Sequence, residues 1–393
     1  MFRPTSVATI DDLRSIARRR VPEFAFRPLE AGGGDGSGPI RNIEALGRFL
    51  LTSRALVDVE TVRQGTTIFG RTYSSPFGIS AVGYANIYRR HADQLLAEAA
   101  AEANIPFMLS GGSAASIEEI ARIAPDHVWQ QLYAARDPAI TDDIVRRARD
   151  AGVQVLVYTA DSPLRPRVDW LVRKGIALPA AVRWGTWPYI VWQAARHPAW
   201  SLAIIRQGGL PRQNSWAPYA PPLSSAADIA RCFSQQVPNV KTWKEVERVR
   251  RLWPSKLVVK GLMHPDDVRF AIGCGADAVI VSNHGGNNHD RMAASIDQLG
   301  VISRATHGRM SVFFDGGVRK GADILTALAL GAQFVFVGRA TLYGVIAGGL
   351  AGARRAIAIL QDEIERGLML IGCPDAGDMS EAFLASSADG VSQ

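Results

Sequence analysis

Several short apolar runs in this sequence end on residues whose types could do chemistry. Lys260 follows Leu257-Val258-Val259, so its ammonium has to leave an apolar wall. Snorkelling to solvent is the plain reading and pairing with an anion is the functional one. His284 follows Ile280-Val281-Ser282-Asn283 and precedes Gly285-Gly286, where missing side chains allow a ligand close to the backbone. The other histidines, such as His127 and His197, have no comparable setting and default to ordinary roles. Ser110, the pair Gln131 and Tyr133, and the pair Thr159 and Asp161 stand behind other runs in the same way. Asp315-Gly316-Gly317-Val318-Arg319 and Gly338-Arg339 each combine unhindered backbone N–H groups with a guanidinium. That combination suits a phosphate group, and on this feature alone a sugar-phosphate enzyme stays open.

Residues in such positions need a scaffold that brings strand ends together. Strand-like runs begin near 77, 107, 128, 153, 256, 278, 311 and 334. Helical spacing between them predicts helices over 91–103, 138–150, 265–273, 296–306 and 321–330, and Ser116 with Glu119 makes a capping box. Eight alternating units are the requirement of a TIM (β/α)8 barrel, whose chemistry sits at the carboxyl ends of the strands. A doubly wound sheet would want Gly-x-Gly-x-x-Gly after an early strand, and none appears. An N-terminal helix is expected over 7–20, entered through Asp11 and Asp12, and the glycines at 32–38 read as a loop rather than a phosphate cradle. Residues 164–240, rich in Trp, Pro and Arg, break the rhythm and read as an inserted loop or lid. Within it, 189–192 and 200–205 could be amphipathic helices. The expected organisation is one barrel domain over 1–376, with an N-terminal extension (1–75), the insertion at about 164–240 and a tail at 377–393.

Composition narrows the class. Hydrophobic residues at 47% and charged residues at 21% exclude a disordered or fibrous chain. A formal charge of +7 suits an anionic ligand without demanding one. Cys232, Cys274 and Cys373 are far apart with no Cys-x-x-Cys, so neither a metal site nor a redox pair is expected. The short basic clusters Arg18-Arg19-Arg20 and Arg89-Arg90 are expected to face solvent rather than nucleic acid. No run approaches a membrane span and the first residues lack a secretory pattern, so a cytoplasmic protein is expected. Peripheral attachment through the Trp-rich 184–205 segment is the less favoured alternative.

Taken in order, Gln131-Leu132-Tyr133, Thr159-Ala160-Asp161, Val259-Lys260-Gly261, Ser282-Asn283-His284-Gly285-Gly286, Asp315-Gly316-Gly317-Val318-Arg319 and Gly338-Arg339 carry a resemblance. From about residue 10 to 372 the chain resembles the FMN-dependent 2-hydroxy-acid oxidase and dehydrogenase family, which includes glycolate, lactate and mandelate enzymes. The resemblance implies FMN as cofactor. It places the phosphate on Arg319, Gly338 and Arg339, beside Asp315, Gly316 and Gly317, and the ring system on Ser80, Ala81, Val82 and Gly83 with Ser110, Gln131, Thr159 and Ser282. Lys260 would face N1 and the C2 oxygen and stabilise the reduced ring. His284 would be the base, Asp161 the carboxylate that orients it, and Tyr133 a hydroxyl donor to substrate. The resemblance also implies oxygen or an electron carrier as acceptor, and a homotetramer or other homo-oligomer.

The departures from the family pattern concern the substrate. An arginine that clamps the substrate carboxylate is replaced by Asn287, and a tyrosine that contacts it by Pro28. A second arginine falls on Val168 or the neighbouring Arg167, and Gly112 stands where glycolate-type enzymes carry an aromatic side chain, which predicts a larger pocket. These losses point to a large or neutral substrate. Ser-Asn-His-Gly-Gly-Asn-Asn together with the Trp-rich insertion is similar to the mycofactocin-maturation flavoenzymes, which implies oxidation at a CH–NH2 or CH–OH carbon beside a carbonyl. The alternative is conventional oxidation of a mandelate-like or larger (S)-2-hydroxy acid, with Arg167 or Arg165 replacing the clamp.

Overall fold

The computed structural model describes residues 2–177, 181–237 and 239–385. Eight parallel strands close into a barrel in sequence order: β1 (Phe77–Ile79), β2 (Phe107–Leu109), β3 (Val128–Leu132), β4 (Val155–Thr159), β5 (Lys256–Leu262), β6 (Ala278–Val281), β7 (Ser311–Asp315) and β8 (Phe334–Val337). β8 pairs with β1 through Val335–Phe77, and β4 pairs with β5 across the insertion through five residue pairs ending at Thr159–Lys260. The expected TIM-barrel fold is therefore the observed one. Parallel strands are buried on both faces, which is why they read as continuous apolar runs.

The N-terminal segment forms α1 (Ile10–Arg20), α2 (Glu23–Ala31) and α3 (Ser37–Gly47). The first helix starts at Ile10 rather than near residue 7, because Thr9 is its cap: Thr9 Oγ1 accepts from Asp12 N at 3.2 Å and Asp12 returns a bond to Thr9 N. The glycines at 32–36 form the turn between α2 and α3, where the chain presses on the segment after β6. A Cβ on Gly33 would lie 2.2 Å from Asn287 O.

Around the barrel lie α4 (Ala92–Glu102), α5 (Ile117–Ile123) and α6 (Pro138–Asp150). At Ser116 only half of the capping box forms, Ser116 Oγ accepting from Glu119 N at 3.1 Å. The insertion holds α7 (Trp187–Arg196), α8 (Pro198–Arg206) and α9 (Ala226–Gln236), so its two candidate amphipathic segments are helices. The outer layer continues with α10 (Trp243–Leu252), α11 (Pro265–Gly273), α12 (Ser295–Ala305) and α13 (Gly321–Ala329). It closes with α14 (Arg339–Gly348) and the 22-residue α15 (Leu350–Ile371). Residues 377–385 pack back on the N-terminal segment, Thr52 N donating to Phe383 O at 2.8 Å.

Candidate active site

Inside a barrel every second residue of a strand faces the axis. Met108, Trp129, Val157, Val258, Ile280, Phe313 and Phe336 form one buried apolar cluster with Tyr73, and Phe69 packs against it. Trp129 anchors it, 5.1 Å from Phe336 and 6.0 Å from Phe313. Two residues further along those rows stand Ser110, Gln131, Thr159, Lys260, Ser282, Asp315 and Gly338. A further step of two gives Gly112, Tyr133, Asp161 and His284. The strand period thus stacks a polar layer on an aromatic floor and puts the acid–base residues above it.

The lower polar layer is closely bonded. Lys260 Nζ donates to Ser282 Oγ and pairs with Asp315 Oδ2, both at 2.8 Å. Ser80 Oγ also donates to Asp315 Oδ2, at 3.2 Å, while Asp315 Oδ1 is buried without a partner. Gln131 Nε2 donates to Thr159 Oγ1 at 2.7 Å, and Gln131 Oε1 accepts from Gly111 N.

In the upper layer His284 Nδ1 faces Asp161, 3.0 Å from Oδ1 and 3.2 Å from Oδ2. Its Nε2 lies 3.4 Å from the Tyr133 hydroxyl. Burial works to raise the Asp161 carboxyl, but the charge and hydrogen bond of His284, with Lys260 behind, hold it below the ordinary carboxylate value. Burial first and the Asp161 charge second push the Tyr133 phenol up, so it stays a neutral donor. Asn288 Nδ2 donates to Asp161 O at 2.6 Å, and Asn283 exchanges two side-chain bonds with Asn42 of α3, at 2.7 and 2.8 Å. These bonds fix the segment that carries His284.

Both layers open on a cavity of about 210 Å³. Of the expected cofactor residues, Ser80, Ala81, Val82, Gly83, Gln131, Thr159, Lys260, Asp315, Gly316, Gly317, Arg319, Gly338 and Arg339 line it, together with Tyr133, His284, Pro28 and Asn287. Ser110 and Ser282 are buried below the wall and Asp161 stands behind His284. Two of the expected substrate residues lie elsewhere. Arg167 is 73% exposed and pairs with Asp169 at 3.3 Å. Space beside Gly112 is filled from the insertion: a Cβ there would be 3.5 Å from both Gln213 Nε2 and Phe233, so the glycine does not enlarge the pocket. The cation nearer this side is Arg165, whose guanidinium lies 5.6 Å over the Phe233 ring. It also sits beside Tyr84, where its charge opposes the burial that raises that phenol. Tyr88, Leu29 and Phe336 line the cavity without any signal of residue type that would have marked them.

At the far end Gly316 (φ 120°) and Gly317 (φ 87°) take backbone conformations that side chains disfavour. The helix α14 begins at Arg339, which leaves its first-turn N–H groups for an anion. The Arg339 guanidinium is held by Leu29 O at 2.7 Å, Gly285 O at 2.8 Å and Asn287 Oδ1 at 3.0 Å. Burial and the Arg319 cation bring its pKa down to about 10. FMN fits this set. The orphaned Asp315 Oδ1 suits a hydroxyl of the ribityl chain, and the paired glycines with Arg319 and the α14 terminus suit the phosphate.

A closed β/α barrel with this strand-end layer defines a flavin-mononucleotide oxidoreductase. The family model of the FMN-dependent dehydrogenases matches residues 17–386, and the chain belongs to that family. It is an enzyme that uses FMN and works by hydride transfer. It is 34% identical to an L-lactate dehydrogenase of Caulobacter vibrioides, over 96% of this chain and 98% of the relative. Among solved structures, a monotopic membrane protein, (S)-mandelate dehydrogenase, matches 97% of this chain and all of its own (100%), at 32% identity and a TM-score of 0.91. An arginine-to-leucine variant of mandelate oxidase holding 2-hydroxy-phenylacetamide matches 97% of this chain and 98% of its own, at 31% identity and a TM-score of 0.80.

Two expectations change. The cytoplasmic assignment is overturned by the likeness to a monotopic membrane protein, although no helix among the described residues is long and apolar enough to cross a membrane. These relatives also favour the hydroxy-acid alternative over C–N oxidation of the mycofactocin type.

Proposed function

We propose that this enzyme oxidises an aryl-bearing, mandelate-like 2-hydroxy acid to the 2-oxo acid. The observation that carries the reading is the Asp161–His284–Tyr133 chain, with His284 Nε2 turned toward the cavity beside a neutral phenol. FMN, when bound, supplies the acceptor for the hydride. His284 Nε2 takes the hydroxyl proton, and Asp161, held charged, fixes the ring and stabilises its cation. Tyr133 donates to the substrate oxygen, and Lys260 sets a positive charge against the cofactor site. Arg165 supplies the carboxylate partner that Pro28, Asn287 and Val168 cannot. Tyr84, Phe233 and Trp216 form an aromatic wall on the same side, with Phe233 6.1 Å from Tyr133.

The test is anaerobic reduction of the yellow protein by (S)-mandelate, with Arg165→Met as the variant. The variant should raise the KM for mandelate about tenfold and leave 2-hydroxy-phenylacetamide turnover unchanged. Failure of mandelate to bleach the flavin, or an unchanged KM, rejects the assignment. A specific observation favours a second reading, a neutral 2-hydroxy amide: beside His284 the cavity wall offers Pro28, Asn287 and an Arg339 already committed to three oxygens. Bleaching by the amide alone would establish it.

The reading includes a location at a membrane surface. Trp187, Val191 and Trp192 on α7, and Leu202 and Ile205 on α8, are exposed, Ile205 at 71%. Aromatic and aliphatic side chains flanked by Arg196 and Arg206 suit the headgroup boundary. The paired substitution Trp192→Ser and Ile205→Ser should release the protein from vesicles into the supernatant on sedimentation. Retention of the variant on the vesicles would exclude these helices as the attachment.

A further inference from the structure

Arg19 and Arg20 at the end of α1, Arg89 and Arg90 before α4, and Arg196 at the end of α7 converge on one cleft of about 740 Å³. Its lining contains no aspartate or glutamate, and none of the five arginines forms an ion pair among the described residues. Arg89 spends one contact on Ile346 O, at 3.3 Å. Burial and the neighbouring Arg20 charge both lower its pKa, the sign of a cation with no counter-charge. Paired arginines on this surface are ordinary, since Arg14, Arg48, Arg147 and Arg354 all hold carboxylates. Here five arginines without such a partner line one cleft.

The floor is apolar, with Trp200, Ile204 and Ile346. Trp200 is pinned by a 2.9 Å bond from Nε1 to Ile87 O. One rim runs straight into the exposed face of α7 and α8: Arg196 lies 4.8 Å over the ring of Trp192, and Trp192 is half exposed on that face. Cationic walls above an apolar floor, continuous with an exposed aromatic face, match an amphiphile whose head is an anion. A free anion would have no use for the floor or for the adjoining helices.

We propose that this cleft binds the phosphate headgroup of an anionic phospholipid while α7 and α8 rest in the lipid boundary beside it. The inference rests on the membrane-surface reading and adds lipid selectivity to it. The arginines supply charge-assisted hydrogen bonds to the phosphate oxygens, and Trp200 and Ile204 meet the glycerol and first acyl carbons.

The experiment is co-sedimentation of the full flavin-loaded protein with two kinds of vesicle, phosphatidylcholine alone and an equal mixture with phosphatidylglycerol. The exposed triple variant Arg19→Gln, Arg90→Gln and Arg196→Gln is run beside it, with flavin absorbance and melting temperature checking its fold. At about fivefold per arginine, the mixed vesicles should bind wild type on the order of 100-fold more tightly than the triple variant, whose preference for phosphatidylglycerol should fall by the same factor. Equal binding of wild type to both vesicles overturns the cleft and leaves the apolar attachment standing. No binding to either overturns the membrane reading itself. An undiminished preference for phosphatidylglycerol in the triple variant places the lipid site elsewhere and overturns the assignment. A last arm adds millimolar inorganic phosphate at matched ionic strength; if it displaces the protein from mixed vesicles, the cleft is a free-phosphate site and the lipid proposal fails.

Discussion

His284 is held in an unusual backbone state. Its φ is 58°, and Gly285 and Gly286 follow at 65° and 78°, so three successive residues occupy the left-handed region. For a histidine this is a strained conformation that surrounding bonds must impose. The bond from His284 N to Ser282 Oγ at 3.1 Å and the Asn283–Asn42 pair do so. The strained turn delivers Nδ1 to Asp161 and leaves Nε2 for the cavity. Replacing His284 with Ala should slow substrate-driven flavin bleaching by about a thousandfold while the bound-flavin spectrum is kept. Unchanged bleaching would remove His284 as the base. Asp161→Asn keeps the shape and removes the charge, so a loss of about 100-fold is expected in the same stopped-flow measurement.

Between elements, the contact that matters most for the site is the one from the glycine turn to the His284 segment. Gly33 approaches Asn287, and Gly38 approaches Gly286, where a Cβ would lie 2.7 Å from the carbonyl oxygen. Gly33→Ala forces either the turn or residues 286–288 to move. A destabilisation of about 1–3 kcal/mol is expected from such crowding, read as a lower midpoint in urea, together with weaker flavin retention. A variant with both quantities unchanged would show the contact to be slack. This partnership was not legible in the chain, because glycine turns carry no mark of what they face. The strands were legible: all eight runs became barrel strands, since burial on both sides leaves a short continuous apolar run. Helices α7 and α8 were legible only as possibilities, because helices with apolar residues on their exposed faces blur the usual amphipathic contrast.

For the molecule as a whole, Asp93 gives a pH signature. It is buried in α4 and accepts from Ser113 Oγ at 2.6 Å, tying that helix to the segment after β2. Burial raises its pKa to about 6, from an ordinary value of 3.8. Between those values the folded protein holds a proton that the unfolded chain has released. Stability therefore falls as pH rises from 3.8 through about 6, by about 3 kcal/mol at 1.36 kcal/mol per unit. Asp93→Asn should flatten that part of the curve, measured by urea unfolding at a series of pH values. An equally steep curve in the variant would assign the dependence to other groups.

The sequence by itself determined the barrel, the family, the cofactor and the residues that end each strand. The barrel and the strand-end residues follow from local rules: the apolar run marks the strand, and the two-residue period then dictates which polar side chains rise above the floor; the family and the cofactor came from the resemblance that the strand-end motifs carry. Tertiary structure decided which of the remaining candidates meet. It sent Arg167 to solvent and Arg165 toward the aromatic wall, and filled the space beside Gly112 with Gln213 and Phe233. It also gathered arginines from α1, the turn before α4 and the insertion into one cleft. Apart from the exposure of Arg167, those outcomes depend on segments from about 60 to 180 residues apart packing together, and neither period nor composition encodes a distance across the fold.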